Sequence, residues 1–146
     1  MLSQYVCYLM PNVLISGGTG LIGSEVAAHL RESGYSIKIL TRKPTNPSNN
    51  LYHWDIKKGE IDPKAWEDTE YVINLAGSSI IGGRWTDSRK KELISSRVDS
   101  TALLVNTIQK NNINIKHFIQ ASAMGYYGDS GDTVLTENSP AGDDFM

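Results

Sequence analysis

Apolar positions along this chain fall into two alternating periods. Short runs rich in β-branched residues read as five strands: Val13–Ser16, Ser36–Thr41, Leu51–Trp54, Tyr71–Leu75 and Lys116–Ala121. Between the first two, Ile22, Val26, Ala27 and Leu30 recur at helical spacing and predict an amphipathic helix from Leu21 to about Glu32. Gly34 stands where a left-handed residue ends such a helix. Pro44–Asn50, rich in Pro, Asn and Ser, predicts a surface loop. Asp62-Pro63 predicts a brief helical turn through Trp66, with Asp62 as its cap and Pro63 at its first position. Thr86-Asp87 is placed to cap a long helix that begins near Ser88. It runs through Val98, Leu103, Leu104 and Ile108 and closes near Asn111-Asn112. After Gly128 the pattern turns polar and irregular.

Strand–helix alternation of this kind predicts an α/β fold with a parallel sheet, helices on both faces and right-handed crossovers. The expected architecture is a Rossmann-type doubly wound parallel sheet of strand order 3-2-1-4-5. Its ligand would lie across the carboxyl ends of the strands, near the switch point between strands 1 and 4.

The first strand feeds a glycine cluster, Gly17-Gly18-Thr19-Gly20-Leu21-Ile22-Gly23, and the first helix leaves it. Gly17 and Gly18 permit a tight turn, Gly20 lets backbone approach a pyrophosphate, and Gly23 allows close packing of helix on strand. The free amides and positive dipole end of the helix would face the anion. Glycine spacing alone is a weak signal, and the flanking strand and helix make it specific for a dinucleotide. The plainer alternative is a glycine-rich turn in an ordinary α/β protein.

The end of the second strand bears on which dinucleotide. An acid there would hydrogen-bond a ribose 2′-hydroxyl, but the chain reads Thr41-Arg42-Lys43. A guanidinium can bond a 2′-phosphate bidentately, so Arg42 favours NADP(H), with NAD(H) the alternative. Arg42-Lys43 can also be read as a solvated basic pair. Asp55, after the third strand, could accept from an adenine amino group or serve as a strand-end turn residue. Asn74-Leu75-Ala76-Gly77, closing the fourth strand, should line the ribose and pyrophosphate, Gly77 letting the backbone pass close to the cofactor.

Composition narrows the partners. At 146 residues the chain suits one domain, expected over residues 11–146, with residues 1–10 as an N-terminal extension. A net charge of −2, with no basic cluster denser than Arg89-Lys90-Lys91, gives no footprint for nucleic acid. No apolar run approaches a membrane span, and Tyr5–Met10 is too short for a signal core and lacks a basic lead-in. The lone cysteine, Cys7, excludes an internal disulfide framework and a multi-cysteine metal site, and a cytoplasmic setting is expected. His29, His53 and His117 have no ligand spacing, so no metal is expected. The acids Asp143-Asp144 read as solvated.

Residues 17–23, Asn74-Leu75-Ala76-Gly77 and Ala121-Ser122-Ala123-Met124-Gly125-Tyr126-Tyr127-Gly128-Asp129 together resemble the short-chain dehydrogenase/reductase superfamily in its extended, epimerase form. Gly83-Arg84-Trp85-Thr86, with Arg89-Lys90 and Ser96-Arg97, is similar to an atypical branch, the NAD(P)-dependent epimerase family of predicted nucleoside-diphosphate-sugar epimerases. The resemblance runs from about Pro11 to Met146. It implies hydride transfer to or from a sugar nucleotide or small carbonyl compound, with a serine, a tyrosine and a lysine as the catalytic set.

Ser122 matches the family serine, and its plainer role is to satisfy backbone at a strand end. Arg97 falls where typical members carry an asparagine of the proton relay. A guanidinium cannot accept a proton, so Arg97 is expected to bind an anionic substrate group or to pair with an acid. The family tyrosine would fall near Phe145-Met146, with Met146 in its place; Tyr126 and Tyr127 lie too close to Ser122 for that role. Trp85, Tyr126 and Tyr127 could wall the nicotinamide or belong to the core. Extended members carry a second, substrate-binding part, so the chain reads as an N-terminal portion, inactive alone. Its last strand would be an open edge that invites a homo-oligomer. The other reading is a binding module that senses NADP(H) without turnover.

Overall fold

The computed structural model describes residues 10–81 and 83–143. Cys7, the rest of the extension before Met10, Asp144 and the Phe145-Met146 position lie outside the described residues. The elements run β1 (Asn12–Ser16), α1 (Leu21–Glu32), β2 (Ser36–Thr41), β3 (Leu51–Asp55), β4 (Glu60–Ile61), β5 (Thr69–Asn74), α2 (Asp87–Lys110) and β6 (His117–Gln120). The sheet order is β4-β3-β2-β1-β5-β6. All pairings are parallel except β3 with β4. Without β4 this is the expected 3-2-1-4-5 order. Two-residue β4 carries too little pattern to be read from sequence.

Alternating residues of the strands build two apolar layers. Val13, Ile15, Ile37 and Ile39 pack under α1 with Ala27. Leu14, Leu40, Val72 and Tyr52 face the other way, with Leu104 of α2 and Ala65. Because both faces of β1 are covered, its interior residues Val13, Leu14 and Ile15 are all buried. In α1, Ala27 is buried and Val26 and Leu30 are partly so, but Ile22 is 68% exposed. Ile22 was expected on the apolar face. It sits in the first turn of α1 and is not among the residues that pack in this layer.

Helix ends follow the sequence signals. Gly34 has φ +86°, and the amides of Gly34 and Tyr35 donate to the carbonyls of Arg31 and Leu30, each at 3.0 Å. Thr86 Oγ1 accepts from the Arg89 amide at 3.3 Å, capping α2. Asp62 Oδ1 accepts from the Lys64 amide at 2.9 Å at the head of a 3-10 turn, Pro63–Trp66. A hydrogen bond from Thr45 holds the Asp62 carboxyl below the usual aspartate range. The predicted loop 44–50 contains a 3-10 turn at Pro47–Asn49 and an Asn46–Leu51 bridge.

Lys38 is the unexpected inward residue of β2, 8% exposed. Its Nζ donates to the carbonyls of Lys64 and Glu67, tying the Pro63–Trp66 turn to the sheet, and burial pushes its pKa down.

Candidate functional site

The carboxyl ends of the strands bring the sequence-predicted residues to one edge of the sheet. Gly17–Gly23 joins β1 to α1, Arg42 follows β2, Asp55 ends β3, Leu75–Gly77 follows β5 and Ser122 follows β6. The glycine loop has little room for side chains. A Cβ on Gly17, which has φ +70°, would lie 2.8 Å from the Leu75 carbonyl oxygen, and one on Gly18 would lie 3.0 Å from Ile39 Cγ1. On Gly23 it would lie 2.2 Å from the Gly17 carbonyl oxygen. Gly23 therefore packs the helix onto the loop's own backbone, rather than onto the strand as expected.

This tight winding leaves a polar mouth. Thr19, Gly20, Leu21 and Ile22 are exposed. The first helical bond of α1 runs from the Ser24 amide to the Gly20 carbonyl at 2.9 Å, so the amides of Leu21, Ile22 and Gly23 precede the ladder. Gly20, the N-cap, supplies no side chain to satisfy them, and the first turn holds no acid. Such a helix start suits an anion.

On the β2 side, Arg42 is exposed, and its guanidinium makes no hydrogen bond or ion pair among the described residues. Asp55 is engaged locally: its Oδ1 accepts from the amides of Lys57 at 2.9 Å and Lys58 at 3.1 Å. The turn role is thus filled, and Oδ2 lies 4.0 Å from Lys58 Nζ.

On the β5 side the side chain of Asn74, expected with the segment that lines the cofactor, is taken into a buried polar network. Ser16, Asn74 and Gln120 stand in register on β1, β5 and β6, so their side chains share one face. Ser16 Oγ donates to Asn74 Oδ1, and Asn74 Nδ2 donates to Gln120 Oε1 at 2.8 Å and to Thr101 Oγ1 of α2 at 3.0 Å. Ser16 and Asn74 are fully buried, so these bonds replace lost water contacts. The signal in the sequence was a polar residue closing each of three apolar strands; only the register joins them.

Among the described residues Arg97 pairs with no acid, one of the two expectations for it. Its Nη1 donates to the Leu93 carbonyl at 3.0 Å and its Nη2 to the Ser78 carbonyl at 3.2 Å. Gly77 faces this guanidinium: a Cβ there would lie 3.1 Å from Arg97 Cζ. Ser122 is exposed just past β6. Tyr126 and Tyr127 lie on a 3-10 turn, Met124–Tyr127, with rings edge to face at 5.1 Å; Tyr126 is 52% exposed and Trp85 43%. Neither Tyr126 nor Trp85 belongs to the core.

A glycine loop between a buried parallel strand and an uncapped helix, at the switch point of a doubly wound sheet, defines a dinucleotide-fold protein. Residues 13–144 match the model of the NAD dependent epimerase/dehydratase family, and the chain belongs to that family. Epimerase family protein Mb2239 of Mycobacterium bovis is 39% identical over 135 residues, which are 92% of this chain and 44% of that protein. The crystal structure of human epimerase family protein SDR39U1 with NADPH superposes with a TM-score of 0.79 at 31% identity, covering 92% of this chain and 44% of that one. The nucleoside-diphosphate sugar epimerase of Corynebacterium glutamicum gives a TM-score of 0.75 at 31% identity, over 94% of this chain and 28% of that one. The chain thus spans less than half the length of these relatives. No helix among the described residues is long and apolar enough to cross a membrane.

Proposed function

We propose that this chain is the NADP(H)-binding part of an epimerase-family oxidoreductase acting on a sugar nucleotide or small carbonyl compound. Gly17, Thr19, Gly20, Leu21, Ile22 and Gly23 take the pyrophosphate through backbone amides and the α1 dipole. Arg42 takes the 2′-phosphate, Asp55 the adenine edge, and Leu75, Ala76 and Gly77 the nicotinamide side. When bound, the nicotinamide supplies the donor or acceptor of a hydride. Ser122 orients the substrate oxygen, and Arg97 acts on the cofactor side through the backbone. The cytoplasm, where dinucleotide pools are held, is the proposed setting.

The observation that carries this reading is Arg42: an exposed guanidinium without a partner among the described residues, at the β2 end, where no acid would repel a phosphate. The NADPH bound in the human relative supports the same choice. Titration of the chain with NADPH and NADH tests it. Arg42→Ala should weaken NADPH about 10- to 100-fold, the cost of losing charged hydrogen bonds, and leave NADH unchanged. Equal binding of the two cofactors by wild type, or a preference unaltered in the mutant, overturns the NADP assignment.

A second reading, a module that binds NADP(H) without turnover, has one observation in its favour. Arg97, at the place where the resemblance puts a proton-relay residue, is held by the Leu93 and Ser78 carbonyls and cannot accept a proton. NADPH oxidation measured against a panel of carbonyls and sugar nucleotides, using a full-length relative as positive control, separates the two. Turnover by this chain alone favours the enzyme.

A further inference from the structure

Every polar group of Ser78 is engaged by α2. Its amide donates to Ser96 Oγ at 2.9 Å, its hydroxyl donates to Glu92 Oε1 at 2.8 Å, and its carbonyl accepts from Arg97 Nη2 at 3.2 Å. Arg89 extends the clasp, donating to the Ser79 carbonyl and, at 2.7 Å, to Glu92 Oε2. Hydrogen bonds from Arg89 and Ser78 hold the Glu92 carboxyl below its usual range. Just upstream, the Leu75 amide donates to the Ser16 carbonyl at 3.1 Å and the Ala76 amide to Asn74 Oδ1 at 3.3 Å. The segment from Leu75 to Ser78 is therefore held to the sheet at one end and to α2 at the other.

Gly77 lies between these anchors. Its missing Cβ would come within 3.1 to 3.4 Å of three guanidinium atoms of Arg97. The guanidinium is also fixed from below by the Leu93 carbonyl at 3.0 Å. It therefore occupies the space that glycine leaves free.

We infer that Arg97 is a positioning residue: lodged against Gly77, it holds the Leu75–Ser78 backbone in the shape that receives the nicotinamide-ribose half of the dinucleotide. Arg42 and the β2 end mark the adenine half, so the β5 side of the glycine loop faces the other half. Gly77 is glycine, on this account, to admit Arg97 rather than to admit the cofactor. The inference rests on the NADP(H) reading above.

A double-mutant cycle separates the two explanations of Gly77. NADPH is titrated by fluorescence, and adenosine 2′,5′-bisphosphate, which lacks the nicotinamide half, by calorimetry. Gly77→Ala and Arg97→Ala should each weaken NADPH about 10-fold, the cost of losing a charged hydrogen bond, with the bisphosphate unchanged. In the Arg97→Ala background, Gly77→Ala should cost less than about twofold, because the methyl then has room. Arg97→Lys, which keeps charge and stem but loses the fork, should fall between wild type and Arg97→Ala and guards against loss of fold. Equal costs of Gly77→Ala in both backgrounds, or parallel losses for NADPH and the bisphosphate, overturn the inference while the cofactor reading stands. Wild type that binds neither ligand removes both.

Discussion

The two sides of β1 carry similar apolar sequences but bury them to different extents. Towards β2 and β3, Ile37, Leu40 and Trp54 are 1%, 3% and 4% exposed, roofed by α1 and the Pro63–Trp66 turn. Towards β6, Ile119 is 53% exposed, as are Ile94 at 52% and Val98 at 58% on the outer flank of α2. Two shallow apolar grooves lie on that open side. One runs along Val98, Thr101, Ala102 and Val105 of α2, and the other beneath Tyr71, Ile73 and Ile119. The glycine loop and Arg42 rest on the closed side, and Ser122 stands on the open one. The proposed cofactor residues thus belong to a region that packs by itself, and the proposed substrate-orienting serine to a region whose apolar surface is exposed. The relatives, more than twice as long, have further chain with which to cover such a surface.

The sharpest way to break this comparison is to truncate one aliphatic side chain on each side. Leu14→Ala, in a fully buried site, should cost about 3 kcal/mol by urea unfolding, whereas Ile119→Ala on β6 should cost under about 1 kcal/mol. Similar costs would mean that β6 is covered in solution.

A smaller effect is expected at the turn that roofs the closed side. Asp62→Ala removes a cap and the Thr45 contact and should cost about 1 kcal/mol near neutral pH. The folded-state pKa of Asp62 is depressed, so its contribution is present above the usual aspartate range. It is lost as pH falls through the lower folded value. Stability curves of wild type and mutant should therefore converge in acid; a gap that stays constant with pH would refute the linkage.

The smallest change in stability, within about 0.5 kcal/mol, is expected for Val98→Glu with Ile119→Glu. Its effect should fall on association instead. Wild type should grow in apparent mass with concentration in sedimentation velocity, through the open flank and the β6 edge, and the double variant should not. A wild type that stays monomeric throughout would end the proposal of self-association.

Much of the fold is legible in the sequence. Strand positions and the caps at Asp62, Gly34 and Thr86 follow local rules, since each depends on residues within a turn or two of one another, whereas the strand order follows from the connection rules of an alternating α/β chain. Ile22 is exposed for the opposite reason: helical periodicity says which face it shares with Val26 and Leu30, but not how far along the helix that face is covered. Site residues divide in the same way. The glycine loop and Arg42 could be picked out because a strand end and its following turn are contiguous. The partnership of Ser16, Asn74, Gln120 and Thr101 could not, because strand register sets it.

By itself the sequence determined an α/β sheet with a dinucleotide loop at the end of its first strand and a cation at the end of its second. Periodicity, glycine and charge are local properties that a chain carries in any conformation. Only the tertiary structure decided what Gly77 and Arg97 do. Their guanidinium–backbone contact spans a loop and three turns of helix, and it exists only once α2 lies across the carboxyl end of β5. Only tertiary packing, likewise, left one flank of α2 and the β6 edge open, since burial depends on which surfaces meet.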